Sequence, residues 1–177
     1  MNNERQTDML WEGRHLRMMN IDGWEYASRR VASGVVAIIA ITDDGKIVLV
    51  EQYRPPLGRL TIELPAGLAG DLTDAADEDL QTAAERELLE ETGYRAARWR
   101  RIGDGASSSG LTDEVVTLFV ATGLERVESG GGDDSELITI HQTPLDGLIT
   151  WLDEQRRTGR AVDIKVYTVL SSATRGV

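Results

Sequence analysis

The chain has 177 residues, 41% of them hydrophobic, and 30 acidic residues against 19 basic ones give a net charge of −11. That length supports one well-buried domain rather than two; the absence of cysteine excludes disulfides and thiolate-bound zinc. A field of this sign opposes nonspecific binding to nucleic acid or to an anionic membrane, while a few placed arginines and bound cations still admit a small anionic substrate. No apolar run is long enough to span a bilayer, and the N-terminal residues MNNERQTDML lack the basic-then-apolar order of a secretory leader. The expectation is therefore a cytoplasmic protein whose metal site, if it has one, is carboxylate-rich.

Residues 16–33 mix Met, Ile, Trp and Tyr with charges around Asp22-Gly23, which predicts a short hairpin. The run 34–42 is continuously apolar and β-branched and predicts a buried strand, turned at Asp43-Asp44-Gly45 into a return strand over 46–53. Pro55-Pro56 ends that strand; 61–64 reads as a short strand leading into Pro65-Ala66-Gly67. A helix is predicted over 79–92, with Asp79 as N-cap, Gly93 as stop, and Leu80, Ala83, Ala84 and Leu88 on its apolar face. Strands over 98–102 and 115–121 flank a Gly/Ser-rich loop at 103–110. A flexible acidic loop at 130–135 precedes a strand over 137–141, and two helices follow, near 145–158 and 162–172. Trp151 is expected to pack beneath the first of these, and His141 to be structural. The order of elements gives a single α+β layered domain.

The chemistry is concentrated in the helix over 79–92. Glu87, Glu90 and Glu91 crowd like charges at spacings that destabilise a helix. Glu87 and Glu91 nevertheless stand one turn apart on one face, roughly 6 Å along the axis, a spacing that suits hard cations preferring oxygen ligands. Arg86 lies four residues before Glu90 and is placed to neutralise it. On their own, such acids are more often a solvated helix face.

The segment from Glu78 through Arg86-Glu87-Leu88-Leu89-Glu90-Glu91-Thr92-Gly93 resembles the Nudix box. Between Gly67, taken as its opening glycine, and Glu78 lie ten residues where the pattern has five, which reads as a loop insertion. Glu51-Gln52-Tyr53-Arg54-Pro55, Ile62-Glu63-Leu64-Pro65-Ala66-Gly67 and Asp163-Ile164-Lys165-Val166-Tyr167 are similar to the ADP-ribose pyrophosphatase branch of that superfamily. The resemblance implies an α/β/α sandwich with a mixed sheet, residues 34–177 as the hydrolase domain, and residues 1–33 as an N-terminal β-hairpin arm joining a homodimer. It implies Mg²⁺, replaceable by Mn²⁺, on Glu87, Glu91 and the Ala66 carbonyl, with Glu90 as a supporting or direct ligand. It implies a catalytic base in the acidic loop, Glu136 or Asp134, and substrate contacts from Arg54 and Glu63. Trp24 and Tyr26 are candidates for stacking on the base from a neighbouring subunit. The implied reaction is hydrolysis of the pyrophosphate bond of a nucleoside diphosphate sugar. ADP-ribose leads, giving AMP and ribose 5-phosphate, with GDP-mannose or ADP-glucose next. Ser109 stands where ADP-ribose hydrolases often have a proline, which keeps the other sugars open. The alternatives are a noncatalytic nucleotide-sensing module of the same type, or a hydrolase of dinucleotides or nucleoside triphosphates.

Overall fold

The computed structural model describes residues 7–30, 34–70, 78–132 and 137–173. Two sheets organise them. The first is a three-stranded antiparallel sheet of β1 (Thr7–Glu12), β2 (Leu16–Ile21) and β3 (Trp24–Arg29). The expected hairpin is β2–β3, turned at Asp22-Gly23, and β1 adds a third strand on the outer side of β2. β1 is exposed throughout and its apolar residues, Met9, Leu10 and Trp11, stand side by side, so it carries no alternation from which a strand can be read. β3 docks on the chain's own loop before Glu114: Ala27 donates its N–H to the Leu111 carbonyl at 2.8 Å, and Arg29 pairs with Glu114 at 2.6 Å.

The main sheet has eight strands: β4 (Gly34–Ile41), β5 (Lys46–Arg54), β6 (Arg59–Glu63), β7 (Ala66–Ala69), β8 (Tyr94–Ala106), β9 (Val115–Arg126), β10 (Thr139–Pro144) and β11 (Ala161–Val162). Its order is β11-β6-β5-β4-β9-β8, with β10 paired to β5 and β7 to β4. β4–β9 and β6–β11 are parallel pairs and the others antiparallel, so the sheet is mixed, as expected.

The unbroken apolar run of β4 reflects burial on both faces. Val36, Ile38 and Ala40 pack with Val48 and Phe119 against Ala83, Ala84 and Leu88 of α1 (Leu80–Thr92). Ala37, Ile39 and Ile41 pack with Leu49, Ile62 and Leu64 against Leu148 and Leu152 of α2 (Leu148–Arg157), and against Val166 and Val169. The sheet thus separates two apolar layers, the α/β/α arrangement anticipated above. Trp151 packs against the second layer, as expected.

The C-terminal region departs from the reading. The second expected helix is divided into β11, a 3₁₀ turn over Ile164–Thr168, and α3 (Val169–Ala173). The parallel edge of β6 takes Ala161 and Val162 into the sheet, and Asp163 donates its N–H to the Ile62 carbonyl at 2.9 Å. Asp163 then caps the turn by accepting from the Lys165 N–H at 2.7 Å. Sheet pairing has overridden a helical period.

Candidate active site

α1 is held at both ends by its own sequence. The Asp79 carboxylate accepts from the N–H groups of Gln81 and Thr82, at 3.0 and 3.4 Å, and satisfies donors that the first turn leaves open. At the other end Gly93 turns left-handed and returns its N–H to the Leu89 carbonyl at 2.7 Å. Gly130, Gly131 and Gly132 then cross the helix end with φ of 65°, 115° and 77°. Gly131 and Gly132 donate to the carbonyls of Glu91 and Glu90, at 2.9 and 3.1 Å. A Cβ on Gly130 would stand 2.4 Å from the Thr92 carbonyl carbon. The glycine run read as a flexible loop is therefore a C-cap, and it brings the start of the acidic loop against the carboxylate end of α1. Asp134 and Glu136 themselves lie outside the described residues.

One cleft of about 720 Å³ opens between α1, the β6–β7 turn, β5 and this loop. Glu87, Glu90, Glu91, Ala66, Arg54 and Glu63, expected from the sequence to serve one site, all line it. Glu91 is 4% exposed, and its Oε2 accepts from the Ala66 N–H at 3.0 Å. Glu87 lies over Gly67, where a Cβ would stand 1.9 Å from the carboxyl carbon. Across the cleft Arg54 makes a two-pronged pair with the buried Glu63, at 2.7 and 2.6 Å.

Arg86 ties the acids together. Its guanidinium donates to both oxygens of Glu78 at 3.2 Å, to Glu87 at 2.9 Å, to Glu90 at 3.1 Å and to the Leu68 carbonyl at 2.9 Å. Burial works against its charge, but the Glu78 bonds and the charges of Glu87, Glu78 and Glu90 outweigh it and raise the Arg86 pKa. The Glu78 carboxyl is lowered chiefly by the Arg86 hydrogen bonds, helped by the Gly70 N–H. Glu78 thus holds Arg86 from outside the cleft lining.

The donors suit a hard divalent cation: oxygen atoms only, two of them on acids one helical turn apart, with glycine leaving room for a carboxylate. Among the described residues no three acids or histidines are gathered closely enough to form a complete metal site. Gly67→Ala is expected to push the Glu87 carboxylate aside without disturbing the fold, because the atoms in conflict end a flexible side chain. A displacement of that size at a reacting centre costs about a hundredfold in kcat. Steady-state rates alongside a melting curve check it.

Trp24 and Tyr26 do not line the cleft; Trp24 is 61% exposed, and its indole N–H donates to the Gly110 carbonyl at 3.3 Å. Arg29 from the same strand does line it, with Glu114, Gln52 and Lys165. None of these four is among the site residues expected from the sequence. The two-residue period of β5 puts Gln52 on the same face as Arg54 and is the one signal that marks it; the Arg29–Glu114 pair joins positions 85 apart and has none. His141 sits away from the cleft, 2.8 Å from Glu51 and with its ring 5.2 Å from that of Trp151.

A model of the NUDIX domain matches residues 32–163. The chain is 34% identical over 158 residues to a methanol dehydrogenase activator of Bacillus methanolicus, covering 85% of this chain and 83% of that protein. It is 35% identical over 123 residues to an ADP-ribose pyrophosphatase of Bacillus subtilis, covering 69% of this chain and 64% of the relative. Against an ADP-ribose pyrophosphatase of Mycobacterium tuberculosis the identity is 45% over 94 residues, covering 53% and 44%. The chain thus spans under two thirds of the length of these two enzymes. A crystal structure of an ADP compounds hydrolase superposes with a TM-score of 0.66 over 84% of this chain and 80% of that one. Its identity of 20% makes it a likeness of fold.

Proposed function

The chain belongs to the NUDIX domain family, as a pyrophosphohydrolase, and from that premise we propose that its substrate is a nucleoside diphosphate sugar, ADP-ribose first. The observation that carries the reading is the single cleft in which the acids of α1 face the Arg54–Glu63 pair. Relatives called ADP-ribose pyrophosphatase and, in mouse, ADP-sugar pyrophosphatase support the substrate class.

The family generally depends on divalent metal. Here Glu87, Glu91 and the Ala66 carbonyl would hold Mg²⁺ or Mn²⁺, with Glu90 beside them. Such an ion supplies neutralisation of the diphosphate and acidification of a water. The chain's own residues do the rest. Arg54, kept in place by Glu63, meets the diphosphate. Asp134 or Glu136 takes the proton of the attacking water. A new oxygen–phosphorus bond forms as the bond to the bridging oxygen breaks, and AMP and ribose 5-phosphate leave. Residues 1–33 form the arm of a homodimer in this proposal, with Trp24 and Tyr26 stacking on the base of a second copy's substrate. No helix among the described residues is long and apolar enough to cross a membrane; a cytoplasmic site of action belongs to the proposal.

A panel of ADP-ribose, ADP-glucose, GDP-mannose, NADH and nucleoside triphosphates with Mg²⁺, scored for phosphomonoester, tests this. ADP-ribose is expected to be cleaved fastest. Faster cleavage of NADH or a triphosphate would overturn the substrate class. Binding of ADP-ribose with no cleavage of any compound would favour the sensing module, a partner-directed role in keeping with the name of the B. methanolicus relative.

A further inference from the structure

Gln52 lines the cleft on β5, is 7% exposed, and has no side-chain hydrogen bond to any described residue. A primary amide carries two N–H donors and an acceptor oxygen; no described residue supplies a partner for any of them, and Gln52 is not among the buried polar groups left unpaired, so in the free protein its amide meets the water of the cleft. Its cross-strand neighbour on β6 gives no relief. Thr61 stands directly opposite Gln52, and its hydroxyl is itself buried without a partner. Two residues along the same face, Arg54 is committed to Glu63. The floor of the cleft therefore holds a neutral group in want of both a donor and an acceptor.

Phosphate does not meet that want. Its oxygens accept only, so they would satisfy the amide N–H groups and leave the amide oxygen facing negative charge. The cleft already has Arg29, Arg54 and Lys165 for anionic oxygens. Sugar hydroxyls both donate and accept, and in a nucleoside diphosphate sugar the two sugars are the groups attached directly to the diphosphate. A base lies one sugar further out, away from a residue beside Arg54.

Resting on the function proposed above, we propose that Gln52 is a specificity-determining residue that binds a pair of sugar hydroxyls adjoining the diphosphate. In the free protein the amide bonds water in the cleft, and substrate hydroxyls replace that water.

The test is Gln52→Met, which keeps the length and removes the polar atoms, with Gln52→Leu as a second variant of different shape. Melting is measured without substrate. Then KM for ADP-ribose is measured with Mg²⁺, along with inhibition constants for two truncated analogues. The methyl ester of ADP on its β-phosphate lacks the distal sugar; the 2′,3′-dideoxyadenosine form of ADP-ribose lacks the nucleoside hydroxyls. The melting temperature of at least one variant is expected to stay close to that of the parent, since the Gln52 side chain makes no hydrogen bond to a described residue that the change could remove. KM for ADP-ribose is expected to rise about tenfold or more with kcat less affected. The penalty should vanish on one analogue, and which one identifies the sugar. An equal penalty on all three compounds, no penalty, or a lower melting temperature in both variants overturns the assignment of Gln52 alone. A parent protein that cleaves no nucleoside diphosphate sugar overturns the proposed function and this inference with it.

Discussion

Glu91→Gln is expected to lower kcat by about a thousandfold or more while the protein melts at or above the parent temperature. Removing one carboxylate from a divalent-cation site forfeits several kcal/mol of charge stabilisation in the transition state. Glutamine has nearly the same shape, and its amide oxygen can still accept from the Ala66 N–H that Glu91 holds at 3.0 Å. The change also removes one of several like charges crowded on α1. Rates measured under saturating substrate, with a melting curve on the same preparation, separate the two effects. Near-normal kcat, or an unfolded variant, would remove Glu91 from the proposed site.

The largest expected loss of stability comes from Arg86→Ala. The Arg86 side chain is 18% exposed, and the Glu78 and Glu87 side chains it bonds are more buried still. Taking away one partner of a buried ionic cluster leaves uncompensated charge and costs about 3–5 kcal/mol, or about 10 °C in melting temperature for a chain of this size. The pH dependence gives a second reading. The Glu78 pKa is lowered in the folded protein, chiefly by Arg86. Its contribution is therefore fully present above the ordinary glutamate value of about 4.3, and is lost as pH falls through the lower folded value. Without Arg86 the acids lose the cation that neutralises them, and protonating them relieves repulsion. The gap in melting temperature between parent and variant should then be widest near neutral pH and narrow towards pH 4. A gap that is small, or constant with pH, would show that the Arg86 cluster does not hold this helix in place.

The helix that carries the acids was legible because every local signal agreed: an N-cap at Asp79, an apolar face through Ala83, Ala84 and Leu88, and Gly93 at the end. β4 was legible because burial on both faces writes itself as an unbroken apolar run. The gathering of Arg54, Glu63, Ala66 and the α1 acids in one cleft was reached through resemblance; nothing in their separate spacings required it. What stayed hidden depends on contacts between distant residues. β8 extends to Tyr94–Ala106 although its polar residues and glycines give little strand signal, because β9 pairs along it to Val115 opposite Ala106. The glycines at 130–132 look like a flexible loop until the carbonyls of Glu90 and Glu91 are seen to need donors. Gln52 reads as one more strand residue until its neighbours are found to offer its amide nothing.

The most direct measurement of the central claim is a phosphorus NMR time course of ADP-ribose with the purified protein, with Mg²⁺, after chelation, and after Mg²⁺ is restored. The account predicts two phosphomonoester signals growing in equal amounts with Mg²⁺, none after chelation, and recovery on restoring the ion. Equal turnover after the metal is removed, or no phosphomonoester in any arm, would contradict it.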